Sequence, residues 1–354
     1  MSRLLHSPKA LTALIVSAVI LVISLAGGAL GNEFGGGFIG SPLAHIQLPA
    51  ESITAKPIFS NFYITNTMIA SWISIAVLVV VSLFATRQMS DVPRGIQNLI
   101  EVVIEFFLNL CESVAGRDKA RRFLPLVMTI FLFIVTSNWL GILPGFGTIG
   151  RFESSEEVIH HAEDHIDEGM EVDLSTIKLQ IFEINGPFAL MPLGSVNNET
   201  TADNLDEDTL KDNGEQAGLL VPFLRSANTD INTTLAIALV AMFMVHFWAF
   251  RTLGFFSHIG KFLNFKGGPI GLFVGVLEGI SEIARVISFT FRLFGNIFAG
   301  EVLLIAMIFL VPLVGIIPFL GLELFVGLIQ AFIFSMLTLV FASMATVSHE
   351  PAGH

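Results

Sequence analysis

The sequence has few charged residues and only one cysteine, and each scarcity excludes a class of protein. Charged side chains make up 14% of the 354 residues, whereas ordinary globular domains have about 25%. The single cysteine, Cys111, excludes an intrachain disulfide framework and a metal site built from several cysteines. The chain also lacks a basic patch with interleaved aromatic residues, so nucleic-acid binding is not indicated. A G-x-x-x-x-G-K-[ST] motif for nucleotide phosphates is absent too.

Apolar residues are abundant instead, at 53% of the chain, with 33 phenylalanines. One aqueous core cannot enclose that much apolar surface, so lipid must cover the rest, and we predict an integral membrane protein. The net charge of −12 is concentrated between residues 151 and 229, which hold 17 acidic and four basic residues. The acidity therefore belongs to one loop and not to the membrane-embedded part.

Apolar length predicts the spans, since a spanning helix needs about 20 apolar residues. The candidates are residues 10–26, 63–86, 124–145 and 233–250, followed by a nearly continuous apolar stretch from 269 to 347. That stretch is interrupted near Pro312–Pro318, so it predicts two helices, 269–311 and 318–347. The first would be about 60 Å long and the hydrocarbon layer is about 30 Å thick. We therefore predict two long, strongly tilted helices that form a hairpin.

The predicted fold is an all-α integral membrane protein with five or six hydrophobic helices and an amphipathic surface helix at 95–115. On that helix Ile96, Phe107 and Leu110 share an apolar face. Residues 1–29 have basic residues, an apolar core and small residues in succession, which fits a cleaved signal peptide or an extra span. The predicted divisions are 1–29, 30–62, 63–145, 146–229 and 230–354, the last containing the hairpin 269–347.

Basic residues indicate the orientation. The N-terminal tip, the connection 87–122 and the connection 251–266 are all basic and are predicted to face the cytoplasm. The acidic loop 151–229 is then extracytoplasmic and the C-terminus cytoplasmic. The loop contains His160, His161 and His165 among carboxylates, a composition that can bind a divalent metal. We interpret it as a solvated, partly disordered loop and predict no metal or cofactor.

Polar residues at membrane depth are the strongest functional signal, because each costs about 2.5–3.5 kcal/mol on insertion scales. Positions 278, 285 and 292 fall within about 40° of one another on a helix, and Arg292 has no acidic residue three or four positions away. The last helix adds polar residues seven positions apart. The candidate pathway residues are Glu278, Arg292, Asn296, Glu301, Glu323 and Gln330, with Glu282 and Arg285 on the same stripe as Arg292.

Four segments resemble the signature stretches of subunit a of F-type ATP synthases. They are LEGISEIARVISFTFRLFGNIFAGE (Leu277–Glu301), LIQAFIFSMLTLVFASMA (Leu328–Ala345), TSNWLGILPG (Thr136–Gly145) and SANTDINTTLA (Ser226–Ala236). The resemblance covers about residues 60–347 without the acidic insertion. It implies a proton-translocating stator subunit that works with a c-subunit ring, peripheral-stalk b subunits and the lipid bilayer. The nucleotide chemistry would lie on other subunits.

The resemblance also implies residue roles. Arg292 would be the essential arginine that faces the ring, keeps a passing carboxylate ionised and blocks a leak between two half-channels. Asn296, Glu301, Glu323 and Gln330 would line the aqueous paths, and Glu278 would lie toward the cytoplasmic exit. In some relatives one of the positions matching Glu301 and Glu323 is a histidine. Here both are acidic, which leaves the order of their protonation open.

Two rival functions remain to be compared with this one. A secondary transporter would carry its own midplane site, often with inverted repeats, and the chain has no internal repeat. A membrane scaffold would not account for Arg292. The choice between protons and sodium ions stays open, since the ring carboxylate decides it. The Glu301 version of the motif and the N-terminal segment favour a bacterial plasma membrane.

Overall fold

The computed structural model describes most of the chain. The described residues are 8–27, 50–54, 62–87, 89–143, 146–147, 149–159, 177–183, 188–190, 199–254, 260, 268–311 and 315–346. Eight helices are assigned within these ranges. They are α1 (Pro8–Gly27), α2 (Asn66–Thr86), α3 (Ile96–Ala115), α4 (Arg117–Gly141), α5 (Glu207–Asp212), α6 (Ile231–Leu253), α7 (Gly268–Leu310) and α8 (Ile316–Ala345).

Five of these helices, α2, α4, α6, α7 and α8, are long and apolar enough to cross a membrane. The chain is therefore a multi-pass membrane protein, as predicted. The apolar part of α1, Leu14–Gly27, is shorter than the five. Its role as a signal peptide or as a sixth span stays a prediction.

The helix α7 runs unbroken for 43 residues, which corresponds to about 65 Å. The predicted interruption is also found, since α7 ends at Leu310 and α8 begins at Ile316. Pro318 lies in the first turn of α8, where the missing N–H would have no partner inside the helix. A straight helix of this length exceeds a hydrocarbon layer of about 30 Å, so it must tilt or extend beyond the layer.

The acidic loop contains a five-stranded antiparallel sheet, which the sequence analysis did not predict. Its strands are β1 (Ile149–Ser154), β2 (Lys178–Glu183), β3 (Phe188–Leu190), β4 (Glu199–Thr201) and β5 (Glu215–Pro222), in the spatial order β3-β1-β5-β2-β4. The loop interpreted as partly disordered thus has ordered strands in these segments, because its acidic average hid a short apolar run, Leu219–Val221, in the central strand. The histidines at 160, 161 and 165 lie outside the described residues.

Close approach of β1 and β5 depends on two glycines. A Cβ at Gly150 would collide with the Val221 carbonyl, and a Cβ at Gly218 would collide with the Glu153 carbonyl. Behind the sheet, Leu179, Ala217 and Leu219 form a small buried cluster. The loop therefore has a core of its own.

The chain divides into two compact units. The first unit comprises Met1–Asn66, Ile142–Arg225 and Ala299–Glu323, and the second comprises Thr67–Gly141, Ser226–Phe298 and Leu324–His354. Both α7 and α8 contribute residues to each unit. The sheet belongs to the first unit, and α3, α4 and α6 belong to the second.

The second unit has the main apolar core. Phe289 of α7 packs on Phe334 of α8, with 4.7 Å between ring centroids. Small side chains on the packed faces let helix backbones approach closely. The fully buried alanines of this unit are Ala120 on α4, Ala238, Ala241 and Ala249 on α6, and Ala331 and Ala342 on α8.

The helix α3 has nearly the predicted bounds, but not every residue assigned to its apolar face is buried. Phe107, on the predicted apolar face, is buried, and its ring centre lies 4.6 Å from that of Phe131. Ile96, assigned to the same face, is 51% exposed. Gln97 is buried instead, because its side-chain amide donates hydrogen bonds to the Ser90 carbonyl at 3.1 Å and to Glu101 at 2.7 Å.

Candidate functional site

Arg292 lies a little past the middle of α7 and is half-buried. Its Nη2 atom donates a hydrogen bond to Ser288 Oγ at 3.3 Å, one turn earlier. Its guanidinium lies 5.8 Å from the centre of the Phe289 ring. Among the described residues of the second unit, no carboxylate forms an ion pair with it. The cation therefore has a hydroxyl and a ring as neighbours but no counter-ion in its own unit.

Arg285, seven residues earlier on the same face, is neutralised. It donates a hydrogen bond to Glu282 and lies 4.8 Å from the centre of the Phe341 ring. The other Glu282 oxygen, Oε2, is 3.6 Å from Nε2 of His246 on α6. We call Glu282, Arg285 and His246 the paired cluster. The sequence analysis missed His246, although a histidine inside an apolar span is itself a signal.

The other predicted residues of the second unit are dispersed along the helices. Glu278 lies one turn before Glu282 on α7 and is half-buried, and Asn296 lies one turn after Arg292 and is exposed. Gln330 is half-buried on α8. No hydrogen bond joins any of these three side chains to Arg292 within the described part of the second unit. Glu278 and Asn296 extend the stripe of α7 on either side of Arg292, and Gln330 adds a polar side chain on α8.

Glu301 and Glu323 lie together in the first unit, as the predicted hairpin requires. The Glu323 carboxylate occupies the space that a side chain at position 300 would need, so only Gly300 leaves room for it. Glu323 is 8% exposed. The charge of Glu301 acts on Glu323, so the two carboxylates repel each other when both are ionised.

Arg225 is the cation of this site, and the sequence analysis did not single it out. Its Nε atom lies 3.3 Å from Glu301 Oε2, and its side chain is only 7% exposed. It directly precedes Ser226, where the middle segment of the second unit begins. An arginine beside the start of an apolar span, within the acidic loop, is the signal that was overlooked.

Glu51 joins the same site from the N-terminal part of the chain. Asn66, the first residue of α2, donates from its side-chain amide to Glu51 Oε2 at 3.0 Å and from its backbone to the Glu51 carbonyl at 3.1 Å. Burial raises the pKa of Glu51 to about 7 from 4.5. The charge of Arg225 and the Asn66 hydrogen bond lower this pKa, whereas Glu301 and Glu153 raise it. We call Glu51, Glu153, Glu301, Glu323 and Arg225 the acidic cluster.

The two remaining signature segments hold helices together in the second unit. Asn228 donates to Asn138 Oδ1 at 2.7 Å, and Asn138 donates to the Gly327 carbonyl of α8 at 3.1 Å. Asp230 accepts from the Asn232 backbone at 2.9 Å at the start of α6, and from Thr67 of α2 at 3.1 Å. These buried amides and hydroxyls fix α2, α4, α6 and α8 to one another.

The site residues do not resemble a metal centre. Within the described ranges, no group of three or more histidine, cysteine or acidic side chains has the arrangement to hold a metal ion. The site consists of carboxylates, a histidine and arginines instead. It can accept, hold and pass protons, and it can attract a carboxylate from outside the chain.

Comparisons with known proteins agree with the motifs. A family model described as ATP synthase A chain matches residues 68–343. ATP synthase subunit a of Campylobacter jejuni is 28% identical over 282 residues, covering 78% of this chain and 88% of its own. The Helicobacter pylori (strain Shi470) protein of the same name is 27% identical over 302 residues, covering 83% and 96%. That of Gloeobacter violaceus is 28% identical over 285 residues, covering 80% and 85%. The chain belongs to the ATP synthase A chain family.

Proposed function

We propose that this chain is the static proton-conducting subunit of a rotary ATP synthase. It provides two aqueous half-channels and presents Arg292 to the carboxylates of a rotating c-subunit ring. Proton flow down the transmembrane potential, worth about 2.3 kcal/mol per charge per 100 mV, then drives the ring. The chain itself performs no nucleotide chemistry, which belongs to other subunits of the complex.

The observation that carries this proposal is the contrast between two arginines on one helix face. Arg285 has Glu282 as a counter-ion, and Arg292 has none among the described residues of its unit. Placing an arginine without a counter-ion at membrane depth costs free energy. We therefore expect an anion from outside the chain to pair with Arg292. A ring carboxylate within about 4–6 Å would lose its proton there. Because arginine does not deprotonate, the same residue prevents protons from passing directly between the half-channels.

The acidic cluster supports an aqueous access path at the other end of α7. Glu301 and Glu323 are adjacent titratable groups, and Asn296 and Gln330 continue the polar surface along α7 and α8 in the second unit. Protons entering by Glu301 and Glu323 would reach the ring carboxylate. After a turn of the ring they would leave by way of Glu278.

Basic connections and the acidic loop support an orientation in a bacterial plasma membrane. The connections 87–122 and 251–266 would face the cytoplasm, and residues 151–229 with their sheet would lie outside. The C-terminus would be cytoplasmic. Besides the ring, peripheral-stalk b subunits would hold this subunit static. No nucleic-acid partner is proposed.

The central test is the Arg292→Ala variant in the complete ATP synthase complex. Proton pumping by inverted membrane vesicles and ATP synthesis under an imposed proton gradient are expected to fall to background, with all subunits present by immunoblot. Arg292→Lys is expected to lose nearly as much, because lysine lacks the planar fork and deprotonates more readily in a poorly hydrated site.

Arg251→Ala is the matched control. Arg251 is also an arginine on a spanning helix, but it lies exposed in the last turn of α6, beside the Phe247 ring. Its variant is expected to pump normally. Coupled pumping by an assembled Arg292→Ala complex at the rate of the native complex would refute the proposed function.

Cysteine labelling tests the orientation and the access path together. Burial raises the pKa of the native Cys111 thiol to about 11, so it contributes little thiolate and little background. Asn213→Cys, in an exposed turn before β5, should react with a membrane-impermeant reagent on intact cells. Cysteines replacing Glu323 or Gln330 should react with small hydrophilic reagents faster than one replacing Leu322, which is 48% exposed but apolar. Reaction of Asn213→Cys only after permeabilisation contradicts the orientation, and equal silence at the two polar positions contradicts the path.

A further inference from the structure

The acidic cluster extends beyond the spanning helices, and the segment before α2 supplies one of its carboxylates, Glu51. Residues 50–54 run beside residues 62–66, with an antiparallel bridge between Ser52 and Thr65. The Ile53 backbone donates to the Ile64 carbonyl at 2.9 Å, and the Ile64 backbone donates to Thr54 Oγ1 at 3.3 Å. These bonds hold Glu51 at a defined place within the first unit.

Asn66 fixes the Glu51 side chain and ties it to the sheet. Its side-chain amide donates both to Glu51 Oε2 at 3.0 Å and to the carbonyl of Pro222, the last residue of β5, at 3.2 Å. Three residues further along the chain is Arg225, whose Nε atom lies 3.3 Å from Glu301 Oε2. One connected group therefore joins the N-terminal segment, the sheet and the end of α7.

We propose that Glu51 is a proton-collecting residue of this subunit, which takes protons from the extracytoplasmic water and supplies them to Glu301 beside Arg225. This inference rests on the proposed function, because it extends the access path of that proton channel outward by one titratable group. It assigns the sheet a role as well, since β1 and β5 position Glu153 and Asn66 around Glu51.

The charges that face Glu51 suit this role. Arg225 precedes α6, Glu301 lies on α7 and Glu153 lies on β1, and all three act on Glu51. Glu323 of α8 adds a fourth carboxylate through its interaction with Glu301. One arginine cannot neutralise four carboxylates, so some of them hold protons near neutral pH. A group with a pKa close to the working pH, such as Glu51 at about 7, exchanges protons efficiently in both directions.

The step itself is a simple proton transfer. Glu51 accepts a proton from hydronium or water, and then releases it, directly or through water, to the ionised Glu301 carboxylate. Glu301 leaves its ion pair with Arg225 when it becomes protonated. Arg225 stays charged throughout, and no bond other than O–H bonds forms or breaks.

The experiment uses the complete ATP synthase in liposomes with the nucleotide-binding subunits outside. The pH inside the vesicles is varied from 6 to 8.5, and a potassium potential keeps the total driving force constant. Glu51→Gln is expected to lower the ATP synthesis rate several-fold at high internal pH, where protons are scarce, and much less at pH 6. Glu51→Asp should recover part of the rate, because it restores a titratable group.

Glu156→Gln is the matched control, since Glu156 is an exposed carboxylate just after β1 that does not act on Glu51. Its profile should equal that of the native complex. A Glu51→Gln profile identical to the native one would overturn the inference while leaving the proposed function intact, provided that Arg292→Ala is still inactive. A uniform fall at every pH would also overturn it, because it would give Glu51 a purely structural role. Normal coupling of proton flow to ATP synthesis in Arg292→Ala would instead refute the proposed function itself.

Discussion

The paired cluster and the acidic cluster differ in how their charges are balanced. In the paired cluster, one carboxylate faces Arg285 on its own helix and His246 on α6. The acidic cluster has four carboxylates and one arginine, Arg225, which pairs with Glu301 and acts on Glu51. Nearly balanced charge fixes a structure, whereas an excess of one sign is relieved by binding the opposite charge, here protons. The first cluster is therefore suited to holding α6, α7 and α8 together, and the second to carrying ions.

Arg292 differs from both clusters, because its unit offers it no counter-ion within the described residues. Arg285 has the same residue type, lies on the same helix face and also approaches a phenylalanine ring. The difference is one carboxylate, Glu282, three positions before Arg285. A single local residue thus separates an arginine with a counter-ion on its own helix from one without a counter-ion in the described part of its unit.

Of the substitutions in the two clusters, Glu301→Gln is expected to lower the stability of the complex most. It leaves the buried Arg225 cation without its nearest counter-ion, and breaking a buried ion pair in this way costs about 3–5 kcal/mol. Arg225→Met should lower the stability of the complex less at neutral pH, because the remaining carboxylates can take up protons. The measurement is the temperature at which this subunit dissociates from the purified complex.

The double variant Arg225→Met with Glu301→Gln separates stability from transport. It removes both charges, so it should recover much of the stability lost in Glu301→Gln, yet it should still fail to pump protons. If Arg225→Met destabilises the complex more than Glu301→Gln at pH 7, the remaining carboxylates do not neutralise themselves as described.

A smaller effect is expected from Glu282→Gln in the paired cluster. It removes a charged hydrogen bond worth about 1.5–3 kcal/mol, but Arg285 is about one-third exposed and keeps its contact with the Phe341 ring. The freed Arg285 would also become a second cation without a counter-ion on the face of Arg292. Coupled pumping should therefore decrease without disappearing, as measured in inverted vesicles. Loss as complete as that of Arg292→Ala would mean that Glu282 takes part in proton transfer.

The raised pKa of Glu51 predicts a modest dependence of the stability of the complex on pH. Its pKa in the folded protein, about 7, is above its ordinary value of 4.5, so folding favours the protonated form. The resulting stabilisation is complete below about pH 4.5 and is lost as the pH rises through about 7. The purified complex should unfold at a lower temperature at pH 8 than at pH 6, and Glu51→Gln should reduce that difference. A larger difference in unfolding temperature in Glu51→Gln than in the native complex would contradict the predicted direction of the pH dependence.

The helices long enough to cross a membrane could be predicted from the sequence, because apolar length is a local property. The two last helices and their interruption near Pro312 were predicted within about two residues at all four ends. The face of α3 was predicted less well. Periodicity marks Ile96 as an inward residue, but Gln97 is the buried residue there and donates hydrogen bonds to Ser90 and Glu101.

The sheet and the acidic cluster could not be predicted, for different physical reasons. A charged segment suggests disorder by its average composition, although a few apolar residues such as Leu219 and Val221 suffice for a small core. Glu51, Arg225 and Glu301 are separated by more than 70 residues at each step, so only the tertiary structure brings them together. Arg292, in contrast, was found by spacing alone, and its role stays a prediction.

The smallest effect is expected from Glu153→Gln, which tests the acidic cluster from the side of the sheet. The charge of Glu153 raises the pKa of Glu51, so its removal should lower that pKa. The internal-pH profile of ATP synthesis should then move toward lower pH by less than about one unit, which corresponds to 1.36 kcal/mol. Because the interaction reaches across partly hydrated surface, the shift should shrink between about 0.1 M and 1 M salt, as the screening length falls from about 10 Å to 3 Å. A shift toward higher pH, or one that persists in 1 M salt, would show that Glu153 acts through the shape of β1 rather than through its charge.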